Sequence, residues 1–258
     1  MNVKYLEPLG ARVTGLDLAA TSAGQVAELR ALLADRGVVV FADQALDDAS
    51  FTAFLRAFGP LAFTKGETQV DGHSDLNVVS NIGRATPPKS NYHVDTSYLA
   101  QPPAYTALRA VQIPQRGGAT LFTNQYHAYE TLSAEMRNTL EGRTITHIAT
   151  GVELDPGDEA AADHPVFRPH PISGRIALYL STAKRCAHIS GMDDDHTAQT
   201  VAALLKHSTR DENIYRHEWA PGDVVMWDNG AVLHKADHSD VVGDRVLHRG
   251  MVADYGNA

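Results

Sequence analysis

The distribution of strand-like runs constrains the fold most. Short stretches rich in β-branched and aromatic residues recur at 76–79, 105–113, 120–123, 176–180, 214–219, 223–227 and 245–253. They dominate the second half of the chain and do not alternate regularly with helical patterns. A doubly wound parallel sheet needs a crossover helix between successive strands, so that class is excluded. A β-sandwich or barrel decorated with helices fits. Helical patterns come early. Ser22 can cap a segment with Val26, Leu29, Leu32 and Leu33 on one face and Gly37 as its stop, followed by a strand over 38–41. Asp47 can cap a second helix that aligns Phe51, Phe54, Leu55 and Phe58 before Gly59-Pro60. A helical pair over 125–141, restarting at Ser133, and a helix over 197–207 complete the set. The stretches 83–90 and 155–163 read as loops, either substrate-binding or plain surface.

Composition narrows the chemistry. Lys and Arg total 22 against 31 for Asp and Glu, a net charge of −9. That average charge repels a phosphate backbone, so nucleic acid is not an expected partner. No apolar run approaches the ~18 residues of a membrane span, and the N-terminal stretch lacks an apolar signal core, so a cytoplasmic protein is expected. The single cysteine, Cys186, permits neither an intrachain disulfide nor a thiolate zinc cluster, and reads as a small buried residue. With 13 histidines available, a metal site here must be built from imidazole and carboxylate.

Two constellations stand out. In Asn91-Tyr-His-Val-Asp-Thr96, His93 and Asp95 are two apart, and on an extended chain they would face the same side as a two-point grip on one ion. His73-Ser-Asp75 and Asp193-Asp-Asp-His196 offer similar donors but read as solvated loops. The second constellation is Asp223-Val-Val-Met-Trp-Asp-Asn229, then His234, then a strand in which Arg245 and Arg249 share a face with Leu247 and Met251. Two arginines on one apolar face are either an inward anion site or a solvated outer face.

The ordered set resembles the Fe(II)/2-oxoglutarate-dependent dioxygenases of the taurine dioxygenase (TauD/TfdA) group. The resemblance runs from Leu6-Glu-Pro-Leu-Gly-Ala-Arg-Val-Thr-Gly-Leu-Asp-Leu18 through Tyr92-His-Val-Asp-Thr-Ser-Tyr98, Gly117-Gly-Ala-Thr-Leu121 and His164-Pro-Val-Phe-Arg-Pro-His170 to Trp227-Asp-Asn229, His234 and the 245–249 segment. It implies a single domain over 1–258, mainly β with flanking helices, on a double-stranded β-helix (jelly-roll, cupin-like) core. It implies Fe(II) held by His93, Asp95 and His234, with 2-oxoglutarate and O2 as cosubstrates. Thr120 and Arg245 match the positions for the distal carboxylate of 2-oxoglutarate, and Arg249 matches an arginine that meets the substrate's anionic group. Related halogenases replace the carboxylate ligand with a small residue, so Asp95 implies oxidation without halogen. Hydroxylation of a small molecule with release of succinate and CO2 is the implied reaction; desaturation or ring formation at the same site stays open, as does an inactive metal- or acid-binding barrel. Thr64, Glu67 and Lys89 stand where the taurine enzyme has its substrate-contacting polar residues, which argues against taurine. Lys89 with Arg249 points instead to an acidic or phosphate-bearing substrate. His238 either reaches the pocket or lies at the surface, and a homo-oligomer is compatible with the sequence.

Overall fold

The computed structural model describes residues 1–83 and 90–256. Lys89, and most of the stretch 83–90, lie outside the described residues. Nine strands form the larger sheet, in the order Asn2–Tyr5, Ala11–Thr14, Val38–Phe41, Val224–Asp228, Tyr105–Gln112, Val246–Val252, His73–Ser80 and Gln69–Val70, with Leu61–Ala62 also on Val246–Val252. Among the described residues only the Ala11–Thr14 and Val38–Phe41 pair is parallel. A smaller antiparallel sheet, Ile214–His217, Thr120–Asn124 and Val232–Ala236, faces it. The two make the jelly-roll core.

Alternation along the large sheet decides what lies on each side. Val38, Val40, Leu108, Val225, Trp227 and Leu247 face the small sheet and pack with its Phe122 and Val232. Val39, Phe41, Ala107, Val224, Met226 and Val252 face the other way, under two helices. The helix Ala23–Arg36 starts at Ser22 in a capping box with Gln25 and ends at Gly37, whose N–H bonds Leu33 O. The helix Asp48–Arg56 is capped by Asp47 and buries Phe51, Phe54 and Leu55. A third cluster organises the insert between the sheets: helices Gln125–Glu130, Ala134–Leu140 and Asp194–Ser208 pack with strands Thr144–Ile148, Ala161–Pro165 and Cys186–Ile189.

Several expectations need correction. Asp193-Asp-Asp-His196 is not a loop: Asp193 accepts the His196 N–H as an N-cap, and the helix starts at Asp194 rather than 197. His73-Ser-Asp75 opens the strand His73–Ser80, with Asp75 paired to Arg56. The loop at 155–163 gives way to a strand at Ala161. His93 and Asp95 do not lie along an extended strand: His93 makes an isolated bridge, Asp95 opens a turn, and Thr96 has φ +40°. No helix among the described residues is long and apolar enough to cross a membrane.

Gly250 sits where the helix Asp48–Arg56 presses on the strand Val246–Val252; a Cβ there would overlap Leu55 and Leu76. Neither neighbour is a flexible surface chain, because both are fully buried. Gly250→Ala is therefore expected to lower the unfolding free energy by ~1–3 kcal/mol through overpacking. Urea denaturation compared with wild type measures it, and an unchanged midpoint would mean that the helix moves aside freely.

Candidate metal centre

The two histidines meet through the backbone. His234 lies on the strand Val232–Ala236, and His93 exchanges two hydrogen bonds with it, N–H to O in both directions at 3.0 Å. Their rings lie 4.2 Å apart between centroids. His93 Nδ1 lies 2.8 Å from the Asn91 carbonyl. A carbonyl only accepts, so Nδ1 carries the hydrogen and the Nε2 lone pair is left for a ligand. That Nε2 is 3.6 Å from Asp95 Oδ1, and His234 Nε2 is 3.7 Å from Asp95 Oδ2. One donor atom from each of the three residues lies within 4.8 Å of the others.

Burial opposes ionisation of Asp95, but His234, Arg249 and His93 outweigh it and hold its carboxyl well below the usual carboxylate range. Burial, aided by His93 and opposed by Asp95, pushes His234 down to about 3. The centre thus offers a neutral buried imidazole, a second imidazole whose Nε2 faces the carboxylate, and an anionic carboxylate. Two imidazoles and one carboxylate on a single side of an ion are the donor set of non-haem Fe(II) oxygenases, so the residues fit that metal. Cys186 takes no part. It is buried, its thiol pushed up to about 12 by desolvation, which leaves it unreactive at neutral pH.

The two arginines differ. Both face inward, which disposes of the solvated-face reading. Arg245 is 2% exposed and has no carboxylate within ion-pairing range among the described residues. Its Nε donates to Gly118 O at 2.8 Å and Nη2 to Thr120 Oγ1 at 3.3 Å; Trp219 Nε1 donates to the same hydroxyl at 3.0 Å. Gly118, at φ +77°, leaves the room this requires, since a Cβ there would crowd Arg245 Cδ at 2.8 Å. Burial brings the guanidinium down only to about 10, so it stays a cation. Arg249 is already paired: Nη1 is 3.5 Å from Asp95 Oδ1, Nη2 is 3.4 Å from Glu67 Oε1, and Nε donates to Asn77 Oδ1 at 3.2 Å. Thr64 accepts from Nη2 at 3.4 Å.

One cavity of about 300 Å3 touches His93, His234, Thr120, Arg245, Arg249 and Glu67, and His238 also lines it. Asp95 does not line the cavity but joins the site through His93, His234 and Arg249, so the expected site residues lie together, with Lys89 outside the described residues. Sequence reading missed two groups around Asp95. Thr106 donates to Asp95 Oδ2 at 2.8 Å, and Arg185 donates to the Val94 carbonyl, between the two first ligands, at 3.1 Å. Neither carries a motif, so only the fold reveals them.

The family model described as taurine catabolism dioxygenase TauD, TfdA family matches residues 2–251. The chain belongs to the TauD/TfdA family. It is an Fe(II)- and 2-oxoglutarate-dependent dioxygenase, an oxidoreductase using O2. It is 31% identical to the alpha-ketoglutarate-dependent 2,4-dichlorophenoxyacetate dioxygenase of Cupriavidus pinatubonensis, over 96% of each chain. A taurine dioxygenase structure from Burkholderia xenovorans shares 34% identity at a TM-score of 0.85, covering 98% of this chain and 91% of that one. The structure of AAD-2 in complex with Mn(II) and N-oxalylglycine shares 26% identity at a TM-score of 0.86, covering 98% and 97%.

His234 and the fully buried His147, also pushed down to about 3 by burial, bind protons in the unfolded chain more readily than in the folded one. In metal-free protein their stability contribution is lost as pH falls below the unfolded value near 6.5, with the loss complete near 3. Asp95, held ionised in the folded chain, acts with the same sign, but only from the unfolded carboxylate value near 3.8 downward, below the range from pH 7 to pH 5. From pH 7 to pH 5 each histidine is expected to remove up to ~2 kcal/mol. Denaturant titrations at both pH values test this. His147→Phe should flatten the dependence, with His234, the buried His164 and the half-buried His207 supplying what remains, and an unchanged slope would mean that His147 is protonated in the folded chain.

Proposed function

We propose that His93, Asp95 and His234 hold Fe(II), that Thr120 and Arg245 seat the distal carboxylate of 2-oxoglutarate, and that the rest of the cavity, with Arg249 and Lys89, receives a small anionic or polar substrate. The chain works in this reading as one domain over 1–258 and hydroxylates a C–H bond while 2-oxoglutarate yields succinate and CO2. The observation that carries it is Arg245: a buried cation with no carboxylate partner among the described residues, opening on the same cavity as the three-donor cluster. A charge in that setting calls for a mobile anion, since an unpaired buried ion is costly. When bound, Fe(II) supplies the activation of O2 that drives the oxidation. The chain's own residues orient and shield. Thr120, fixed by Trp219, and Arg245 present parallel donors to one carboxylate, while the cavity walls hold the target bond near the metal.

An anionic substrate accords with the 2,4-dichlorophenoxyacetate in the name of the Cupriavidus relative, itself a carboxylate. Arg249 and Lys89 are the cations proposed to receive it. Arg249 is shared with Glu67, so a substrate anion reaches it by displacing that side chain. The test is succinate formation with Fe(II), 2-oxoglutarate and O2 across a panel of small carboxylates, sulfonates and sulfate esters, followed by product mass. A gain of one oxygen supports hydroxylation; substrate-independent silence throughout the panel counts against the reading.

His93→Ala, Asp95→Ala and His234→Ala should each abolish succinate formation while the metal-free protein still folds, as its circular dichroism would show. A variant with wild-type turnover at limiting Fe(II) would remove that residue from the ligand set.

Arg245 and Arg249 stand about 13 Å apart along the strand at ~3.3 Å per residue, too far to clamp one small carboxylate. Arg245→Ala should raise the 2-oxoglutarate KM by one to two orders of magnitude, for the loss of ~1.5–3 kcal/mol, and leave the primary substrate's KM largely alone. Arg249→Ala should do the reverse. Steady-state titration of each variant against both compounds separates the roles.

A further inference from the structure

Asp95 is carried by a turn, with no strand ladder to hold it. Its side chain is nevertheless tied to the middle of the large sheet. Thr106, fully buried on the strand Tyr105–Gln112, donates its hydroxyl to Asp95 Oδ2 at 2.8 Å. Asn229 Nδ2 donates to Thr106 Oγ1 at 2.9 Å, and Trp227 Nε1 donates to Asn229 Oδ1 at 3.2 Å. Trp227 and Thr106 sit directly opposite each other across adjacent strands. All four residues are buried.

The direction of this chain follows from its first member. An indole N–H can only donate. It therefore fixes which end of the Asn229 amide is oxygen, and the amide nitrogen must face Thr106. The Thr106 oxygen then accepts from Asn229, and its one hydrogen has a single place to go, the Asp95 carboxylate. No member can reverse without leaving a buried polar atom unpaired.

We infer that Thr106 is the positioning residue of the metal centre: the Trp227–Asn229–Thr106 relay fixes the orientation of the Asp95 carboxylate and so sets the affinity for the metal. The inference rests on the ligand assignment proposed above. The relay holds one carboxylate oxygen in a short hydrogen bond, so the carboxylate cannot swing freely, and the ion meets a preset oxygen. His93 has the backbone bridge to His234 to orient it; Asp95 has this relay in its place.

Metal binding needs no primary substrate, so it provides the test. Mn(II) affinity of the full chain is measured by calorimetry, and the visible spectrum of the Co(II)-loaded protein reports coordination. Thr106→Val keeps the shape and removes the hydroxyl; it should weaken Mn(II) binding by about 10- to 100-fold and alter the Co(II) spectrum. Thr106→Ser restores the hydroxyl and should bind within about two-fold of wild type, a rescue that lost packing would not produce. If Thr106→Val fails to fold, Trp227→Phe removes the donor at the head of the relay and should weaken Mn(II) binding several-fold. Wild-type affinity in Thr106→Val, or in Trp227→Phe where that variant stands in, overturns the relay while leaving the ligand assignment intact. Wild-type protein that binds no Mn(II) overturns both.

Discussion

The groups that surround the metal-binding side chains, Thr106, Trp227, Arg245 and Arg249, depend on the two-residue alternation of the strands in the middle of the large sheet. On the strand Val246–Val252 and the residue before it, odd positions share one face: Arg245 and Arg249 line the cavity, Leu247 packs with the small sheet, and Met251 continues the same face. Even positions face the helices, among them Gly250 and Val252. A slip of one residue would send both guanidinium groups into an apolar helix interface and Gly250 into the cavity. The register is held from both sides, by His73–Ser80 and by Tyr105–Gln112. The helix that presses on Gly250 therefore helps to aim the arginines, although it touches neither.

Unequal charge compensation follows from that geometry. Arg249 stands beside both Asp95 and Glu67, so its end of the cavity carries one cation against two carboxylates before any ligand enters. Arg245 has only dipoles around it: a carbonyl, a hydroxyl and an indole face. Dipoles orient a charge without cancelling it. The field in the cavity is thus polarised, positive at the Arg245 end and negative at Asp95. In the proposed reading, a dianion such as 2-oxoglutarate would enter that field in one favoured orientation, its distal carboxylate toward Arg245.

The parts of this arrangement legible in the sequence are those with local causes. Ser22, Asp47 and Ser133 satisfy helix N-termini by themselves, so the helices they start could be read from neighbouring residues alone. The central strands were legible because burial on both faces demands unbroken apolar runs, as in Val38–Phe41 and Val224–Asp228. Thr144–Ile148 and Ala161–Pro165 escaped notice, since their polar, half-exposed residues are made strands by pairing with each other. The spacing of His93 and Asp95 marks them as a pair, and the family resemblance adds His234, but the extended geometry that the spacing suggests does not hold: the pair is brought to His234 through a bridge and a turn. Thr106 illustrates the limit. A single threonine inside a strand carries no signature, and its role exists only once residues from 95, 106 and 229 are neighbours.

The order of strands in the large sheet has a kinetic side. Its middle is assembled from 38–41, 224–228, 105–112, 246–252 and 73–80, so nearly every central pairing joins segments more than a hundred residues apart. Loop closure on that scale is slow, and topologies of high contact order fold late. During synthesis the strands from the first half must wait, edges exposed, until residues 224–252 have left the ribosome. The strand that carries the arginines is thus also the keystone whose insertion between two waiting partners closes the barrel, and until then the chain is open to the strand-edge association that chaperones guard against.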